Sequence, residues 1–186
     1  MSLLPVEEAR ARVLAGAARL GVDRVPLRTA VGRVLAEDLA ATRRQPPFPA
    51  SAMDGYAVRA ADALEAGATL SLVGSSVAGR RYAGTLGPGE TVRIFTGAPV
   101  PDGADTILIQ ENAETVDEAT IRVAVPVEPG RHIRRAGLDF ETGDALLTEG
   151  TRIAVRHVAL AAAMNHPDLP VGRAPRVGLL ATGDEL

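Results

Sequence analysis

Asp54 stands where a chain can hold a carboxylate in place. Upstream, Pro46, Pro47 and Pro49 keep the backbone extended and out of helix. The small residues Ala50, Ser51 and Ala52 follow, so little side chain shields the backbone from an approaching group. Asp54-Gly55 is a strong turn dipeptide, and Tyr56-Ala57-Val58 reads as the start of a strand. An acid so placed can hold a metal ion or a water, or act on a proton. The commonest use of Asp before Gly is a hydrogen bond to nearby backbone, and the local sequence by itself favours that use.

Two further groups suit anions. Thr96-Gly97 ends a strand pattern, and a hydroxyl beside a glycine lets O–H and backbone N–H reach one oxyanion together. A plain strand-ending turn, stiffened by Pro99 and Pro101, explains the same residues. Arg131, His132, Arg134 and Arg135 form the densest positive cluster, and guanidinium forks fit phosphate and other tetrahedral oxyanions. Such a cluster is more often a solvated or ion-paired patch. Asp139 follows it, as an orienting partner or a metal ligand. His132, His157 and His166 lack metal-ligand spacing, and Gln110-Glu111-Asn112 reads as polar lining at a strand end.

The elements that must carry these groups change character along the chain. Val6, Ala9, Val13, Ala17 and Leu20 recur at helical spacing, with Gly21 as the stop. A short strand over 22–27, a second helix from Thr29 to about Glu37, and an extended stretch over 38–42 follow. Between 56 and 127 short strands dominate, at 70–73, 91–95, 106–110 and 121–127, with a helical turn or two at 62–66. Gly87-Pro88-Gly89 and Pro101-Asp102-Gly103 punctuate them, the spacing of a β barrel or sandwich. A strand over 145–153, a helix over 156–164 and an apolar strand over 177–180 complete the pattern.

The apolar fraction of 46% supports a core, built from aliphatics because aromatics are only 3%. A net charge of −3 argues against general nucleic-acid binding. There is no cysteine, which excludes disulfides and thiolate metal sites and fits a reducing compartment. All 20 basic residues are arginine, so Schiff-base lysine chemistry is also excluded. The amino-terminal residues do not read as a signal peptide, and no apolar stretch is long enough for a bilayer. A cytoplasmic protein without membrane contact is the expectation.

Ser51-Ala52-Met53-Asp54-Gly55-Tyr56-Ala57-Val58 resembles the signature of molybdopterin molybdenumtransferases, the MoeA family related to the gephyrin E domain. Three blocks match in the same order: Arg93 to Pro101, Ile133 to Asp139, and Ala181-Thr182-Gly183-Asp184-Glu185-Leu186. The resemblance covers about the amino-terminal half of a family member. It implies an α+β, elongated, multi-lobe fragment, cut off at the first strand of an α/β catalytic domain. A mixed α/β domain is expected from 1–45 and 143–174, with a β-rich domain inserted at 46–142. Residues 175–186 would begin a molybdopterin-binding domain, and with nothing after it this terminus is expected to be disordered or to dock irregularly.

The implied reaction is insertion of molybdate into adenylylated molybdopterin with release of AMP, aided by Mg²⁺. On that resemblance Asp54, Thr96, Asp139 and Glu185 are the catalytic candidates. Ser51, Met53, Gly97, Arg134, Arg135 and Thr182 are expected to bind substrate. Asp54, Asp184 and Glu185 would hold metal. A homodimer is implied, an adenylyltransferase of the same pathway is a possible partner, and the fragment alone is expected to be inactive. A non-catalytic scaffold of the gephyrin E-domain type is the alternative; a carboxylate metal hydrolase using Asp54 and Asp62 ranks lowest.

Overall fold

A computed structural model describes residues 4–181. Along the chain the first elements are α1 (Val6–Ala15), β1 (Val22–Pro26), β2 (Leu39–Ala40), β3 (Ala50–Ser51) and β4 (Gly55–Val58). Next come β5 (Thr69–Ser76), β6 (Glu90–Ile94), β7 (Thr106–Ile109), β8 (Ala113–Asp117), β9 (Thr120–Val123) and β10 (Ile133–Arg134). The last are β11 (Ala145–Leu147), α2 (Val155–Ala163) and β12 (Asp168–Gly172). They form two compact units. One is built from both ends of the chain, up to Thr42 and from Gly143 onward; the other is Arg43–Thr142.

The unit from the chain ends is small and mixed. β1 pairs antiparallel with β12, and β2 with β11. Leu35, Ile153, Ala161, Met164, Leu169 and Val171 are fully buried. Several sequence expectations need correction here. The segment from Thr29 to Glu37 is not a helix beyond the 3₁₀ turn at Leu27–Thr29. Gly32 takes a positive φ of 85°, and the amides that a helix would use point elsewhere: Gly32 to the Ile153 carbonyl, Leu35 to Thr151, Ala36 to Pro170. Tertiary bonding overrides a weak local preference.

α1 also ends early, at Gly16 rather than Gly21. Its expected apolar face buries nothing, since Val6 and Val13 are 80% and 77% exposed. Residues 177–180 form no strand and are exposed, whereas β12, just upstream, finds β1 and is a strand that the apolar pattern did not reveal. An apolar run becomes a strand only where a partner takes its hydrogen bonds. The expectations for Thr182, Asp184 and Glu185 fall outside the described residues. No helix among the described residues is long and apolar enough to cross a membrane.

The Arg43–Thr142 unit is built on one six-stranded sheet in the order β7-β4-β6-β5-β9-β8. All its pairs are antiparallel except β5 with β6. The two outer strands, β7 and β8, do not pair, so the barrel expected from the strand spacing is met in part, as a curled half-barrel rather than a closed one. Both faces are covered. Alternation sends Ala57, Val92, Ile94 and Ile107 to one apolar cluster and Val58, Leu108, Leu70 and Ile121 to another. Each fully buried aliphatic side chain contributes about 1.5–3 kcal/mol, against about 0–1 for an exposed ion pair. The two faces therefore hold this unit, not its surface charges.

β4 lies between β6 and β7 and starts immediately after Asp54. Gly55 enters that position because only hydrogen fits: a Cβ there would collide with the Leu108 carbonyl oxygen and lie 2.9 Å from Ile109 Cα. Gly55→Ala is therefore expected to destabilise the chain by about 1–3 kcal/mol, the usual range for overpacking, with a lower urea midpoint as the readout.

Candidate active site

Three sequence blocks far apart in the chain meet through backbone hydrogen bonds. Ser51 N–H donates to the Ala98 carbonyl at 3.0 Å, and Gly97 N–H donates to the Ser51 carbonyl at 2.8 Å. Ala52 N–H donates to the His132 carbonyl at 2.8 Å, and β3 pairs with β10 so that Ala50 faces Arg134. The proline-stiffened segment thus runs between the Thr96-Gly97-Ala98 turn and the arginine segment. That arrangement presents the next residues, Met53 and Asp54, at the surface.

Asp54 is anchored by Thr96. Its Oδ1 accepts from Thr96 N–H at 2.7 Å and from Thr96 Oγ1 at 2.8 Å. The backbone bond is the larger cause, with the hydroxyl second, holding the carboxyl below its ordinary value of 3.8; partial desolvation opposes them, and Arg93 adds a smaller charge effect. A carboxylate so stabilised is ionised at neutral pH and cannot serve there as an acid; as a base it is weak. Oδ2 takes no hydrogen bond among the described residues. This hard oxygen fits Mg²⁺ as a single ligand. It does not by itself make a cage, because no group of three His, Cys, Asp or Glu among the described residues is placed to hold a metal.

Beside this turn lies an open cavity of about 300 Å³, whose lining includes Pro46, Phe48, Gly97, Arg134, Leu138 and Asp139. Gly97, at φ 81°, presents bare backbone to it. The cavity therefore offers a cation, an acid, a main-chain wall and two exposed apolar side chains, Phe48 and Leu138. Arg135 is not part of it. Successive side chains on an extended segment point to opposite sides, and Arg135 opens on another cavity with Arg81, Asp102 and Val100.

Ser51 is also elsewhere than in the cavity wall. It is fully buried, and its hydroxyl donates to the Met53 carbonyl at 2.6 Å. The hydroxyl is used to close the turn that carries Met53 and Asp54, the local work typical of serine. Met53 is 40% exposed. Arg131 is ion-paired with Glu128 at 3.4 Å, and His132 takes a φ of 62° while its carbonyl holds Ala52. Asp62 caps Gly89 N–H and lies by Arg59.

Arg93 was not singled out from the sequence as a site residue, and Gln110 only as polar lining at a strand end. Arg93 donates to the Gly55 carbonyl at 3.3 Å and to Gln110 Oε1 at 2.7 Å, and Gln110 N–H donates to the Asp54 carbonyl at 3.1 Å. The available signal was a lone charge among apolar strand residues, Thr91-Val92-Arg93-Ile94.

The model of the MoeA N-terminal region (domain I and II) matches residues 4–165. The chain belongs to this family. Within it, the molybdopterin molybdenumtransferase of Haemophilus influenzae is 38% identical over 160 residues, covering 86% of this chain and 39% of that protein. Gephyrin of Dictyostelium discoideum is 30% identical over 202 residues, covering 100% of this chain and 28% of that protein. A solved structure, that of the molybdopterin biosynthesis MoeA protein from Pyrococcus horikosii, superposes with a TM-score of 0.82 at 34% identity. It covers 94% of this chain and 45% of that one. The chain spans less than half the length of these MoeA relatives.

The Thr96 anchor is testable in this MoeA-family chain directly. Thr96→Val removes the hydroxyl and keeps the backbone donor. The Asp54 titration midpoint, followed by carboxyl ¹³C NMR, should rise but remain below 3.8, because the larger cause survives. Since the folded value is depressed, the anchor's contribution to stability is present above the unfolded carboxyl value. It is lost as pH falls through the folded one.

Proposed function

We propose that this chain supplies part of the active site of a molybdopterin molybdenumtransferase, which inserts molybdate into adenylylated molybdopterin with release of AMP. The observation that carries the reading is the meeting of three family blocks through backbone bonds, Ser51 with Gly97 and Ala98 and Ala52 with His132, with Asp54 anchored by Thr96 and a cavity lined by Gly97, Arg134 and Asp139 along the same proline segment. In this reading the cavity receives an anionic part of the substrate. Arg134 contributes a guanidinium fork for phosphate or molybdate oxygens, and Gly97 lets the main chain approach them closely. Thr96 spends both donors on Asp54, so its role is to orient the carboxylate rather than to bind an oxyanion itself.

Asp54 remains ionised and acts as a fixed negative charge that orients a water or a cation. A bound Mg²⁺ would neutralise like charges on phosphate and molybdate as they come together. From the described residues it would draw on Asp54, with water and substrate oxygens beside it. Asp139 serves as an orienting acid in the cavity. Asp184, Glu185 and Thr182 remain candidates for further metal and substrate contacts, and Arg135, on its separate cavity, for a remoter part of the substrate. The β-rich unit at 46–142 is read as an insertion, with 175–186 leading into a pterin-binding domain. The family resemblance supports a cytoplasmic homodimer, with each site completed by the partner, and an adenylyltransferase that hands on the substrate.

A chimera tests the reading. This chain replaces the matching segment of the Haemophilus influenzae relative, and AMP release from adenylylated molybdopterin is measured with molybdate present. The chimera should turn over, while the 186-residue chain alone should not. Asp54→Ala should lower kcat by about a hundredfold or more, the scale of removing a preorganised electrostatic group. Arg134→Ala should mainly raise KM. Unchanged turnover in the Asp54 variant would remove that residue from the mechanism.

A further inference from the structure

The sheet places three long side chains on one face next to Asp54. Tyr56 on β4 is paired with Arg93 on β6, and Phe95 follows two residues later. The Arg93 guanidinium lies 4.9 Å from the Tyr56 ring centroid and 5.0 Å from that of Phe95. Stacked against both rings, it is confined in position while its donors remain available. Those donors go to two fixed acceptors. Nη1 meets the Gly55 carbonyl at 3.3 Å and Nη2 meets Gln110 Oε1 at 2.7 Å. Gln110 in turn donates its backbone N–H to the Asp54 carbonyl at 3.1 Å. A closed ring of contacts therefore surrounds the residue that presents the carboxylate, running from Arg93 through Gln110 to Asp54 and back through Gly55.

We propose that Arg93 is a positioning residue for Asp54: clasped by Tyr56 and Phe95, it fixes the main chain on both sides of the turn, so that the carboxylate meets the Thr96 donors. The inference deepens the function proposed above and takes the importance of Asp54 from it. Among the described residues Arg93 touches no lining residue of the Arg134 cavity through a hydrogen bond; its side-chain bonds go to Gly55 and Gln110. It acts through the loop. Its positive charge adds a smaller favourable effect on the same carboxylate. Other titratable or charged groups on segments packed against the loop are Tyr56 on β4, Glu111 after β7, and His132 and Arg134 in the segment paired with β3.

The test uses the 186-residue chain and two readouts: the hydrogen-exchange rates of the Gln110 amide, which donates to the Asp54 carbonyl, and of the Thr96 amide, which donates to the Asp54 carboxylate. Arg93→Gln removes charge and fork together, and both amides should exchange faster. Arg93→Lys keeps the charge but loses the planar fork, and both amides should still exchange faster. Gln110→Ala removes one acceptor without touching the strand core, and the Thr96 amide should again exchange faster should either Arg93 variant fold poorly.

In the chimera, Arg93→Lys should cost about tenfold in kcat with little change in KM, since small misplacements of a reacting group are costly. Thr96 and Gln110 amides that exchange as in the parent chain when Arg93→Lys removes the fork would overturn the inference and leave Arg93 as a distant charge. The function itself would fail separately, through unchanged turnover in the Asp54→Ala chimera.

Discussion

The structure around the candidate site depends on a short stretch of main chain having its hydrogen bonds taken from both sides. Ser51 exchanges backbone bonds with Gly97 and Ala98, and Ala52 donates to His132. None of these bonds needs a particular side chain. They need an extended backbone with slim residues, which Pro47, Pro49, Ala50, Ser51 and Ala52 supply. Once that stretch is fixed, the turn carrying Asp54 can point in only one direction. Thr96 is then the residue next to the bonded Gly97 and close enough to reach the carboxylate with both its donors.

The sheet converts this local constraint into a rigid one. β4 leaves the turn and goes straight into the middle of the six strands, where β6 and β7 hold it on either side. Aliphatic clusters cover both faces of that region. The acid therefore sits at the tip of a well-packed strand; its supporting arginine comes from the adjacent strand β6 and its threonine from the turn that follows β6. A carboxylate on an independent loop would lose its geometry each time the loop moved; this one inherits the stability of the core beneath it.

Much of this was legible in the residues. The proline approach, Asp54-Gly55 and the strand after it stand in the sequence in the order that the structure uses them. Most strands of the larger unit follow from alternation and turn residues, although β8 was missed: Ala113–Asp117 is largely exposed and carries little apolar pattern. The expected helix over 29–37, started by Thr29 as a cap, behaved differently: the Gly32, Leu35 and Ala36 amides are taken by residues more than a hundred positions away, which no local pattern reveals.

The site was legible in types and not in directions. Arg134 and Arg135 look equivalent in the sequence, yet strand alternation separates them. Ser51 reads as a ligand-binding hydroxyl until its burial and its bond to Met53 are known. Arg93 was quoted only as the first residue of a block. Its pairing with Tyr56 is a cross-strand fact that requires the register of β4 against β6.

The cavity beside Asp54 has walls of two kinds. Gly97 contributes main chain whose conformation a larger residue would strain, and Arg134 hangs from a strand whose backbone is bonded to the proline segment. Phe48 and Leu138 are attached to its outer lip and are half open to water. Evolutionary drift at those two apolar positions can change which molecules fit without disturbing the anchored acid. The apolar side chains of this cavity and the anchored acid can therefore vary independently of one another.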